Sequence, residues 1–93
     1  GVESMAIYGD SYIGKRLYRS LRGKGPEVRC FIDRNAEFLE EDIPVYLPCA
    51  PLPAVDFIVI CLVDEVDGIR KELADLSGAK ISSITELLAE MKE

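Results

Sequence analysis

This chain contains no histidine, which removes the side chain most often used as a general base and as a metal ligand. Catalysis by the chain on its own is therefore not expected. Cysteine is scarce and odd in number: Cys30, Cys49 and Cys61 are not spaced as metal-ligand pairs, and two of them fall in apolar strand-like runs. Buried free thiols are expected. No apolar run is long enough to span a bilayer, so no membrane insertion is expected. The longest, Phe57 to Val63, suits a strand buried on both faces of a parallel sheet. The start of the sequence also lacks a basic stretch followed by a long apolar one, and a cytoplasmic location is expected. Nor is there a surplus of positive charge. At a net charge of −6, nucleic acid and anionic membranes are unfavoured partners, because both need a basic footprint.

The 93 residues that are present make one small domain, short of the two mononucleotide halves of a full dinucleotide-binding fold. An apolar fraction of 48% and a charged fraction of 30% belong to an ordinary globular chain and exclude disorder as its organising feature. Charge is unevenly spread. Residues 1–35 carry seven Lys or Arg against four Asp or Glu, whereas residues 36–93 carry four against thirteen. The chain opens on Gly1 with the hydrophobic pattern beginning almost at once, which reads as a piece of a longer protein with a tag remnant at its start.

The stretch Met5 to Gly14 organises the rest. Ala6, Ile7 and Tyr8 form a short apolar run that stops at Gly9, and Ile13, Leu17 and Leu21 then recur at helical spacing. A glycine turn between a buried strand and a helix leaves backbone N–H groups and the positive end of the helix dipole facing outward, which favours phosphate. Gly9-x-Ser11-x-x-Gly14 is the fingerprint G-x-G-x-x-G with serine in the middle. Gly9 and Gly14 fill the turn and packing roles, and the turn residues Gly9, Asp10, Ser11, Tyr12, Ile13 and Gly14 are the candidate cradle. Ser11 could donate its hydroxyl to a phosphate oxygen. Asp10 repels a phosphate unless it points away or is neutralised. The same turn could equally be a structural strand-to-helix connection. Lys15 and Arg16 lie closest to it, and the other basic residues of this helix read as a solvated face.

Taken in order, the pattern predicts a helix over 12–22, ended by Gly23, Lys24, Gly25 and Pro26, and a strand over 27–33 with Val28, Cys30 and Ile32 on one face and Phe31 on the other. Asp33 ends that strand, nineteen residues after Gly14, where the fingerprint places the acid that accepts ribose hydroxyls; the alternative is a turn-forming Asp. Arg34 could meet a 2′-phosphate or face solvent. Residues 34–42 read as a loop with at most one helical turn. Residues 43–47 read as a short edge strand, after which the proline-rich stretch to Pro53 replaces a crossover helix. Pro48-Cys49-Ala50-Pro51 has polyproline-ligand spacing but reads as a stiff connector. Val55 to Val63 is the strongest strand, and Cys61 and Leu62 at its carboxyl end would underlie a ribose or base, or else be plain core. Asp64, Glu65 and Asp67 complement a helix dipole better than they suggest a metal site. Val66, Ile69, Leu73 and Leu76 mark a second helix, residues 80–83 a last strand, and residues 84–91 a closing helix with Ser83 and Glu86 as its capping box. These elements predict a three-layer α/β domain with a mostly parallel five-stranded sheet in the order 3-2-1-4-5.

Ile-Tyr-Gly-Asp-Ser-Tyr-Ile-Gly, Cys-Phe-Ile-Asp-Arg-Asn, Ile-Pro-Val-Tyr and Val-Asp-Phe-Ile-Val-Ile together resemble the small Rossmann-like N-terminal domains of bacterial surface-sugar enzymes. One such group is the polysaccharide-biosynthesis nucleotide-sugar dehydratases and epimerases, whose extra domain is CoA-binding-like or NAD-binding-like. The other is the UDP-sugar acyltransferases, in which the glycine turn and the Phe-Ile-Asp acid hold the nucleotide. The resemblance implies a noncatalytic nucleotide-binding module of a larger enzyme, with UDP-sugar, NAD(P) or coenzyme A as ligand and the other domains of the parent chain as partners. Gly9, Ser11, Gly14 and Asp33 occupy the matching positions; the chain departs from the pattern at Asp10, Ser11 and Arg34. Two alternatives stay open: a ligand-free interaction or homodimerisation module, and an NAD(H)-responsive redox sensor.

Overall fold

The computed structural model describes residues 3–49 and 51–91; the expected tag remnant at Gly1 and the Ala50 position of the proline-rich stretch lie outside them. Five strands form one sheet: β1 (Ser4–Tyr8), β2 (Glu27–Ile32), β3 (Val45–Tyr46), β4 (Phe57–Ile60) and β5 (Lys80–Ser83). Their order is β3-β2-β1-β4-β5, and every neighbouring pair is parallel. This is the expected order, with the sheet parallel throughout. Helix α1 (Tyr12–Leu21) and helix α3 (Ile84–Met91) cover one face, and helix α2 (Val66–Leu76) covers the other.

Strand β1 sits at the centre because it is apolar on both faces. Ala6 and Tyr8 join Cys30, Ile32, Ile58 and Ile60 beneath Ile69 and Leu73 of α2, while Met5 and Ile7 join Phe31, Phe57 and Val59 beneath α1 and α3. Each fully buried aliphatic side chain of this kind is worth about 1.5–3 kcal/mol of transfer free energy. The second layer needs no crossover helix between β3 and β4. Leu52 and Val55 of the proline-rich connector pack against the α2-side core instead.

Three expectations are corrected. Val28 does not share a face with Cys30 and Ile32: the pairing runs Met5 with Val28 and then Ala6 with Cys30, so Arg29 is an extra residue and Val28 packs on the α1 side with Phe31. The long apolar run pairs only over Phe57–Ile60, because its neighbour β1 is five residues long and its register ends at Tyr8 opposite Ile60. The edge strand is confined to Val45–Tyr46, where Pro44 has no N–H to give and contributes only its carbonyl, 3.0 Å from the Phe31 N–H.

Helix α1 closes with Arg22 in extended conformation and Gly23 and Gly25 at φ +76° and +64°. Helix α3 begins as its sequence implies. The Ser83 N–H donates to Glu86 Oε1 at 2.9 Å, and the Glu86 N–H donates to Ser83 Oγ at 3.1 Å. The Arg70 guanidinium and then these cap bonds hold the Glu86 carboxyl down to about 2. Among the described residues no helix is long and apolar enough to cross a membrane.

Candidate functional site

The parallel sheet directs every strand's carboxyl end to one edge, and β1 hands over to α1 there through Gly9. Gly9 has φ +98°, and its N–H donates to the Ile32 carbonyl at 2.8 Å, so the turn is bonded to the end of β2. A Cβ at Gly9 would stand 3.1 Å from Leu62 Cγ. At Gly14 it would stand 2.3 Å from the Gly9 carbonyl oxygen, a contact that only glycine relieves. The two glycines thus have the turn and packing roles expected of them.

Of the two readings open for Ser11, phosphate donor or structural turn residue, its hydrogen bonds fit the second. As N-cap of α1 its Oγ accepts from the Gly14 N–H at 3.2 Å, and the hydroxyl donates its one proton to the Cys61 carbonyl at 3.0 Å. That bond ties the turn to the end of β4 and leaves Ser11 nothing to donate. What remains for an anion is backbone: helical geometry leaves the N–H groups of Tyr12 and Ile13 without intrahelical acceptors. Their side chains are exposed, with the Tyr12 hydroxyl accepting from Arg16 at 3.2 Å.

Asp33 comes to this turn. Its Oδ2 accepts from the Asp10 N–H at 2.9 Å and its Oδ1 from the Asn35 N–H at 2.8 Å, while its own N–H donates to the Tyr46 carbonyl of β3 at 2.9 Å. Each carboxylate oxygen has two lone pairs, so one acceptor site on each stays available after these bonds. Arg34 points the other way from a 2′-phosphate role: its guanidinium stands 3.9 Å from Glu65 and 3.7 Å from Glu72. Cys61 is buried and Leu62 half-buried.

No family model, curated protein or solved structure matches this chain.

Sequence reasoning missed two features of this edge. Asp10 has no exposed side-chain surface, and neither of its oxygens has a hydrogen-bond partner among the described residues. Burial, with Glu41 adding to it, raises the Asp10 carboxyl to about 6; Lys15, 4.0 Å away, opposes the rise in part. Lys15 also reaches Glu41 at 3.7 Å, so this cation is shared by two acids and is not an unclaimed phosphate ligand. The second feature is Tyr8, 2% exposed, whose hydroxyl is buried beside the Arg34 guanidinium without a well-formed hydrogen bond. Burial raises its phenol above the ordinary value, against the influence of Arg34. Tyr8, Asp33, Arg34, Leu62, Glu65 and Ile69 line a cavity of about 190 Å³. Glu65 enters it from a left-handed backbone, φ 59°, the one such non-glycine residue among those described.

A larger hollow of about 450 Å³ lies between α1 and residues 40–42, where Arg22 is 3.6 Å from Asp42 and Lys15 stands against Glu41. The thiols offer no chemistry at the edge. Burial pushes Cys30 up to about 11 and Cys61 to about 12, while Cys49 is exposed, contrary to the expectation that all three are buried. Asp64, Glu65 and Asp67 form no metal-ligating group among the described residues.

Proposed function

We propose that this chain is a noncatalytic nucleotide-binding module, acting within a larger enzyme of surface-sugar metabolism. The observation that carries the reading is Asp33. Its carboxylate is fixed against the glycine turn by the Asp10 N–H, with one acceptor site left on each oxygen for a pair of ribose hydroxyls. The Tyr12 and Ile13 N–H groups at the start of α1 supply the phosphate contact in this reading, through the helix N-terminus rather than through Ser11. The parent enzyme and the choice among UDP-sugar, NAD(P) and coenzyme A follow from the sequence resemblance.

The test is thermal unfolding with UDP, UDP-sugars, NAD(H), NADP(H) and coenzyme A, each near millimolar concentration. A ligand at about a hundredfold its dissociation constant stabilises by about 2.7 kcal/mol, a rise on the order of ten degrees for a domain this small. Asp33→Asn keeps one carbonyl acceptor for the turn and removes the charge that grips the ribose. Its expected affinity loss is about tenfold to a hundredfold, measured against the variant's own ligand-free baseline. No shift with any nucleotide sinks the reading.

A second reading has its own observation. Ser11 is wholly engaged in holding the turn, and an apolar groove lined by Met5, Leu17, Leu21, Pro26, Phe57 and Leu87 opens between α1 and α3. An interaction module accounts for both. A flat ligand panel together with concentration-dependent self-association in light scattering would favour it.

A further inference from the structure

We propose that the apolar groove between α1 and α3 docks an amphipathic helix from outside this chain, one that carries acidic side chains along the flank meeting α1. This deepens the second reading, that of an interaction surface, and it holds with or without a nucleotide at the opposite end of α1.

The shape of the groove selects a helix. Met5 of β1 and Phe57 of β4 form its floor, Leu17 and Leu21 of α1 one wall and Leu87 of α3 the other; apart from Ser20 its lining is apolar. Leu88, next along α3, is 51% exposed. Strands β1 and β4 are paired on both sides within the sheet, so no strand edge is free here for an extended peptide. A helix needs none. At about 360 Å³ the groove takes a row of apolar side chains at i, i+4 and i+7, and not a helix body, which is about 10 Å across.

Charge selects the kind of helix. Between Tyr12 and Gly25 the chain has five Lys or Arg and no acid. Lys15 and Arg22 are taken up by Asp10, Glu41 and Asp42, but Arg16 and Lys24 are exposed and have no ion-pair partner among the described residues. Arg16 lies one turn before Ser20 on the same row of α1, and the Ser20 hydroxyl donates to its carbonyl at 2.9 Å. Lys24 stands in the turn between Leu21 and Pro26. Both therefore border the groove. On the α3 side Thr85, Leu88 and Ala89 are exposed and uncharged, while Glu86 is turned to Arg70 and Ser83. One rim is positive and the other neutral, which an acidic flank on one side of the incoming helix complements. A second copy has no such helix to offer, because α1, α2 and α3 each bury their apolar row against their own sheet.

The test is fluorescence anisotropy with labelled helical peptides of about 14 residues, four turns, carrying leucine at i, i+4 and i+7. One has glutamate along a flank of that row, a second has lysine in the same places, and a third has serine in place of the leucines. The wild-type chain is expected to bind the glutamate peptide in the micromolar range and the other two at least tenfold more weakly. Ser20→Phe fills the groove from an exposed position and should lower the affinity at least tenfold. Lys24→Glu should lower it about three- to fivefold, less as salt is raised. The peptide comparison on the wild-type chain needs no variant and decides the matter even where Ser20→Phe disturbs the fold. Affinity for the lysine or serine peptide equal to that for the glutamate peptide overturns the inference, as does full affinity in a folded Ser20→Phe. Sedimentation of the wild-type chain separates the two levels. Self-association that Ser20→Phe abolishes gives the groove to a second copy, so the helix site fails and the interaction module stands; a monomer that binds none of the peptides fails both.

Discussion

The two ends of the sheet are built to opposite standards. At the amino ends, Asp56 Oδ2 accepts from the Glu3 N–H at 3.0 Å and the Ser4 N–H at 3.2 Å, and the Asp56 N–H returns to the Ser4 carbonyl and hydroxyl, both at 3.1 Å. These bonds, led by the one from Glu3, hold the Asp56 carboxyl below its ordinary range. At the carboxyl ends, Tyr8 Oη beside Arg34 and both oxygens of Asp10 beside Glu41 and Lys15 are buried without a well-formed hydrogen bond, and no other buried side-chain polar atom among the described residues is in that state. Both ends are made from the same strands. The lower one latches β1 to β4, while the upper one keeps desolvated polar groups that cost stability.

The hardest break of this contrast is Gly14→Ala. The new Cβ meets the Gly9 carbonyl oxygen at 2.3 Å, and neither the turn nor the first turn of α1 has room to yield without losing the Ser11 cap. The expected cost is about 3 kcal/mol or more, a fall in unfolding temperature on the order of 15 °C. A fall of only one or two degrees would mean that the turn relaxes freely and that its shape is not fixed by packing.

Asp10→Asn works in the opposite direction. The Asp10 carboxyl rises from an ordinary 3.8 to about 6 on folding, so between those values the folded chain holds more proton than the unfolded one. The contribution of Asp10 to stability is therefore largest below about pH 4 and declines as pH climbs through about 6. The full shift would correspond to about 3 kcal/mol; discounted for the solvent that reaches Glu41 beside it, about 1–2 kcal/mol is expected. Asp10→Asn should raise stability by that amount at pH 8 and not at all at pH 3.5, as denaturant midpoints at the two pH values would show. An equal gain at both would assign the effect to packing and remove the buried charge from the account.

Much of the fold is legible in the residues because local and long-range signals agree. The strand order follows from the lengths of the apolar runs and their connections, and the start of α3 follows from Ser83 and Glu86. Gly9, Gly14 and Asp33 stand together as their spacing implies. The parts that escape reading are those set by partners distant in sequence. The extra residue at Arg29 has no glycine or proline to mark it and shows only in the register against β1. Ser11 has the composition of a phosphate donor, and only the Cys61 carbonyl, fifty residues away, reveals that its proton is taken. Tyr8 ends an apolar strand and reads as core. Its ring is core, and its hydroxyl is buried too, beside Arg34, a neighbour that the sequence separation of the two residues hides. Asp10 likewise looks exposed at a turn until Glu41 and Lys15 close over it.

Ser4→Ala gives the smallest effect and makes the contrast sharpest. Ser4 is buried, and its hydroxyl accepts from the Asp56 N–H, which also has the Ser4 carbonyl within reach. Removing one of two acceptors should cost about 0.5–1 kcal/mol, a few degrees of unfolding temperature. Because the Asp56 carboxyl, which the Ser4 side chain also helps hold below its ordinary range, is ionised at both pH 5 and pH 8, the cost should be the same at the two, unlike the effect of Asp10→Asn. Because β1 and β4 keep their register above it, nucleotide affinity should not change. A variant at the amino ends that weakened nucleotide binding would show that the latch sets the spacing of β1 and β4 along their whole length. The two edges would then be one mechanical unit, and the openness of the upper edge would depend on the closure of the lower.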